Sequence, residues 1–145
     1  MIKHLLNPKL WLWVLTIGHT LAVGLPLFDS TGTVENFWGV GSATDSSVAL
    51  LAYALLAMLS LSIIQAGIAL LTSGAVFHRM ALLVVAAYVW MATTTSLHPD
   101  ASEFGGFSSW IAPLAISAVL GTTTLLAMNR SSATEPAELA VQTTS

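Results

Sequence analysis

Apolar residues run along this chain without the period-two alternation of a half-buried strand and with few of the charges that face a globular helix toward water. Four stretches carry no charged residue at all: Leu10 to Phe28, Ser46 to Phe77, Met80 to Leu97 and Phe104 to Asn129. Each is close to or above the ~18 to 20 residues that a helix rising 1.5 Å per residue needs to cross a hydrocarbon layer ~30 Å thick. A strand of a membrane barrel would be about 10 residues long and alternate in polarity. The pattern therefore predicts an all-α, membrane-embedded four-helix bundle with four transmembrane helices. The second run exceeds what a membrane needs, so its helix is placed at about Val48 to Ser73, with Asp45 or Ser46 as the amino-terminal cap. Gly74 and the short connection to Arg79 predict an antiparallel hairpin of the second and third helices. Residues 1–130 form one transmembrane domain on this reading. Residues 131–145, rich in Ser, Thr, Ala and Glu with no apolar face, form a disordered tail.

Charge then orients the bundle. Of 145 residues only 8% are charged and 55% are hydrophobic, against roughly 25% charged in ordinary soluble domains. Threading four spans puts Lys3, Lys9, Arg79 and Arg130 on one side and Asp29, Glu35, Asp45, Asp100 and Glu103 on the other. The positive-inside bias makes the first side cytoplasmic, with both termini there, in a multi-pass protein of the cell (inner) membrane. Trp11 and Trp13 at the inner start of the first span and Trp38 and Trp110 beside the outer segments fit an interfacial aromatic belt. The outer segment Asp29 to Ser47, with Gly32, Gly39 and Gly41, reads as a loop that dips Phe37 and Trp38 into the headgroups; His98 to Gly106 reads as a turn. The first run continues through Leu25, Leu27 and Phe28, longer than a signal-peptide core, and reads as a span. There is no cysteine, which excludes disulfides, thiolate metal sites and Cys nucleophiles. Four basic residues make no nucleic-acid footprint.

Polar groups inside the spans are the candidates for chemistry, since each needs a partner where water is scarce. His19 lies about 12 Å in from the inner boundary on a rise of 1.5 Å per residue. It reads either as a packing residue bonded to Thr16, Thr20 or another helix, or as a ligand, quinone or proton site. Gln65, followed by Gly67 and Gly74, reads as interhelical packing at a close helix approach or as the second ligand-binding residue. Bis-histidine haem ligation would need His98 at the depth of His19, and the two differ by roughly 15 Å, so no haem is expected and no cofactor is assigned beyond a quinone. On the outer face His98, Asp100 and Glu103 offer oxygen and imidazole ligands for a divalent cation, against the alternative of a solvated acidic surface. Thr93 to Ser96 and Thr122 to Thr124 can bond their own helix carbonyls.

The order of features in IIQAGIALLTSGAVFHRMALLV, Ile63 to Val84, resembles the central segment of the DoxX-like small membrane proteins. There a polar, often acidic residue on helix two precedes glycines, an apolar stretch, a Gly turn and an Arg opening helix three. Gln65, Gly67, Gly74 and Arg79 fall in that order, and Ile17-Gly18-His19 is similar to the Gly/His-containing first span. Gln65 stands where an acid is common. The resemblance implies an accessory or membrane-anchor subunit of an oxidoreductase system, quinone-linked in some members. With no nucleophile, thiol or paired buried carboxylates, no catalytic residue is assigned, and the chain is not expected to be an enzyme on its own. The expected partners are the lipid bilayer and either further copies of the chain or a membrane complex. The alternative is an oligomeric small-solute transporter or channel, ranked second because no carboxylate lies inside a span to couple protons.

Overall fold

The computed structural model describes residues 5–97 and 110–142, with side chains described as far as Arg130. Among these residues the chain is all-helical and has no strand. Helix α1 spans Pro8–Phe28, α2 Ser30–Trp38, α3 Asp45–Leu71, α4 Gly74–Ser96 and α5 Ile111–Gln142. Four of them are long and apolar enough to cross a membrane: α1, α3, α4 and the Ile111–Arg130 part of α5.

Local sequence accounts for the boundaries. Asn7 caps α1 by accepting from the Lys9 amide at 3.0 Å, and Pro8 occupies the first turn, where its missing N–H costs nothing. Asp29 ends α1 and caps α2 through the Gly32 amide at 2.9 Å. A β-carbon at position 32 would collide with that carboxylate, so the cap requires glycine there. Helix α2 stands where the sequence reading had a loop. Its stop is made by Gly39 and Gly41, both at positive φ, with Glu35 accepting from the Gly41 amide at 3.1 Å. The cap of α3 is Thr44 rather than Asp45 or Ser46. Thr44 and Ser47 form a reciprocal capping box, each side chain accepting from the other's amide at 3.2 and 2.9 Å. The helical backbone of α5 continues past Arg130, where the apolar span ends, to Gln142.

Helix α1 is the central element, packed against α3 on one side and α5 on the other, while α4 packs chiefly on α5. Helices α3 and α4 are joined by Thr72 and Ser73 alone, yet touch at few positions. The core joins Leu12 and Leu15 of α1, Ile68 and Ala69 of α3, the stripe Phe77, Ala81, Val84 and Tyr88 of α4, and Leu120 of α5. That stripe has the three- and four-residue spacing of one helix face. Lys9 sits 5.4 Å from the centroid of the Phe77 ring, which places the starts of α1 and α4 at the same end of the bundle. A β-carbon at Gly121 would lie 3.7 Å from Val85 and one at Gly24 3.9 Å from Leu59, both ordinary contact distances. At Gly67, expected to mediate close helix approach, one would meet nothing within 4 Å. The outward faces are as apolar as the core, with Ile63, Leu70, Leu71, Leu83 and Trp90 all exposed.

Candidate functional site

Three helices deliver one polar side chain each to the same point. His19 comes from the middle of α1, Gln65 from the second half of α3, and Tyr88 from the core stripe of α4. Gln65 Nε2 donates to the Tyr88 hydroxyl at 3.0 Å, and the same hydroxyl is hydrogen-bonded to His19 Nδ1. The His19 and Tyr88 rings meet edge to face, with centroids 5.6 Å apart and planes at 87°, the geometry that aromatic quadrupoles favour. Gln65 and Tyr88 are fully buried, at 0% and 1% exposure, and His19 is half-buried.

These bonds settle how His19 is held. Thr16 and Thr20 are not its partners, because their hydroxyls donate to the Leu12 and Thr16 carbonyls of their own helix at 2.7 and 2.8 Å. Its partner is on another helix. The bonds also bridge the thinly packed seam between α3 and α4, so Gln65 links elements that apolar contact scarcely joins.

The site is incompletely satisfied. His19 Nε2, Gln65 Oε1 and the Ser62 hydroxyl are buried and make no hydrogen bond. The Met58 backbone lies near the imidazole, but Nε2 has no partner at hydrogen-bonding geometry. Buried polar atoms are nearly always paired, and in an apolar interior an unpaired one carries the full cost of losing water. A donor or acceptor brought by a ligand would relieve that cost.

An open groove of about 450 Å³ runs between α1 and α3, lined by Trp13, Thr16 and Thr20 on one wall and Leu59, Ser62 and Ile63 on the other; His19, Gln65 and Tyr88 do not line it. The groove is almost wholly apolar, and the unpartnered Ser62 hydroxyl is buried behind its wall.

Compared with known proteins, the chain matches no family model, no curated protein and no solved structure. The cluster therefore rests on its own geometry.

The proposed cation ligands His98, Asp100 and Glu103 lie outside the described residues. Among the described residues no group of three metal-capable side chains converges. Asp29 and Glu35, of the same outer acidic set, accept backbone amides at the two ends of α2. Tyr88 and Ser62 did not emerge from the sequence reading. The available signal for Tyr88 was its phenol in the middle of the third apolar run, where a buried O–H needs a partner as much as an imidazole does.

Proposed function

We propose that the chain is a four-span protein of the cell membrane with both termini cytoplasmic, and that it serves as a noncatalytic accessory or anchor subunit of a membrane oxidoreductase system. Its interior site, His19, Tyr88 and Gln65, binds a quinone or similar small apolar ligand. The observation that carries this reading is the convergence of three polar side chains from three helices in an apolar bundle, with His19 Nε2 and Gln65 Oε1 left without partners. A quinone carbonyl can accept from a protonated His19 Nε2, the hydroxyl of its reduced form can donate to Gln65 Oε1, and its apolar body suits the walls around them. The apolar outward faces support the membrane setting, since a water-soluble monomer rarely exposes contiguous apolar patches larger than a few hundred Å². The one-sided placement of Lys3, Lys9, Arg79 and Arg130 supports the orientation.

Protein purified in mild detergent is expected to carry quinone detectable by mass spectrometry of the extract. His19→Leu removes the free imidazole nitrogen and is expected to weaken decylubiquinone binding at least about 10-fold, the factor associated with losing a buried hydrogen bond. The control Leu83→Ile, on the outward face of α4, should bind as the wild type does. Equal binding by all three proteins would remove His19 from the site.

Orientation is tested by single cysteines in this cysteine-free chain. An impermeant thiol reagent added to intact cells is expected to label Cys at Thr31, exposed on α2, and to spare Cys at Asn129, exposed at the end of the apolar part of α5. The opposite labelling pattern would invert the topology.

A further inference from the structure

The hydrogen-bond chain through Tyr88 can be written in two senses, of which one is observed. The Tyr88 hydroxyl holds one proton. In the arrangement observed it accepts from Gln65 Nε2, so its proton goes to His19 Nδ1. An imidazole accepting at Nδ1 and neutral overall carries its proton at Nε2. The unpartnered Nε2 is then a donor.

Now let the Gln65 amide make a half turn about its last torsion, exchanging oxygen and nitrogen. Tyr88 then donates to Gln65 Oε1 and accepts from His19 Nδ1–H, and Nε2 becomes a bare acceptor. Both senses contain the same protons: one on the imidazole, one on the phenol and two on the amide. They differ only by the imidazole tautomer and the amide half turn, with no electron moved and no net proton gained. Both use the same two hydrogen bonds, so neither leaves Tyr88 unsatisfied.

We propose that Tyr88 is the reversible link of this chain, a positioning residue that lets His19 Nε2 present itself as a donor to a ring carbonyl or as an acceptor to a ring hydroxyl. The site thereby takes both members of a carbonyl/hydroxyl couple, a quinone and its quinol, in one place. The inference rests on the ligand site proposed above and adds that the site is not selective for one redox form. Gln65 is what permits the second sense, because its amide is the group that offers the Tyr88 phenol an acceptor in place of His19 Nδ1.

Decylubiquinone and decylubiquinol, titrated separately into detergent-solubilised protein, test this with Gln65→Leu. Leucine leaves the Tyr88 proton one acceptor, His19 Nδ1, and locks Nε2 as a donor. Quinol affinity is expected to fall about 10-fold or more beyond any loss that quinone and quinol share, because the quinol's hydroxyl proton is left buried and unpaired. A merely structural role for Gln65 would weaken both forms alike, and equal weakening or no change overturns the reversible chain. Wild-type protein that binds quinone but not quinol also overturns it, leaving the ligand site standing. Wild-type protein that binds neither form removes the ligand site and this inference together. Nitrogen NMR of ¹⁵N-histidine wild-type protein makes the test independent of how Gln65→Leu folds. His19, assigned by comparison with His19→Leu, should carry its proton on Nε2 in the quinone complex and on Nδ1 in the quinol complex. One tautomer in both complexes would overturn the proposal.

Discussion

Truncating Tyr88 to alanine is expected to be the most destabilising single change in the bundle, at about 3 to 5 kcal/mol for removal of a buried aromatic side chain. The ring is 1% exposed and closes the core stripe of α4, and its hydroxyl is the meeting point of α1, α3 and α4. Tyr88→Phe separates the two contributions. It keeps the ring and removes only the hydroxyl, for which interhelical hydrogen bonds within membranes suggest about 0.6 to 1.7 kcal/mol. Unfolding by SDS from bicelles, followed by tryptophan fluorescence, measures both. Alanine and phenylalanine variants of equal stability would show that the ring contributes nothing to packing, contrary to its place in the core.

Leu83→Asp is expected to block stable insertion. Leu83 is 63% exposed on the outward face of α4, two residues before the middle of that helix. On a surface facing water such a change would stay within about 0.5 kcal/mol. Facing hydrocarbon near the bilayer centre, it costs about 2.5 to 3.5 kcal/mol. The amount of full-length protein in the membrane fraction should fall several-fold, while Leu83→Ile is unaffected. Undiminished Leu83→Asp in the membrane fraction would place α4 out of contact with lipid.

The elements were legible where one strong regularity determined them. Four charge-free runs gave four long apolar helices because length and hydropathy alone decide that outcome. Boundaries were less legible, since Thr44, Asp45, Ser46 and Ser47 are all competent caps, and only the mutual geometry of Thr44 and Ser47 selects between them. Helix α2 was read as a loop because its Gly and Thr content is that of a turn. Its formation depends on Asp29 reaching forward to Gly32 and Glu35 reaching the Gly41 amide, both side-chain-to-backbone contacts. Within the site, His19 and Gln65 stood out as the least lipid-compatible side chains in two spans. Their meeting at Tyr88 was invisible, because it requires the rotation of three helices about their axes, which near-uniform hydrophobicity leaves unspecified. For the same reason Gly67 was assigned a close helix approach, although a β-carbon there would meet nothing within 4 Å.

The sparse contact between α3 and α4 sets where the bundle breathes. Separating most neighbouring helices here means breaking many apolar contacts at once, but parting α3 from α4 beyond their short connection breaks few of them and the bond from Gln65 to Tyr88. That line is therefore where opening of the bundle is expected to cost least, with Thr72 and Ser73 as the pivot. For the ligand site proposed above, that seam would be a lateral approach held shut by one amide bonded to one phenol.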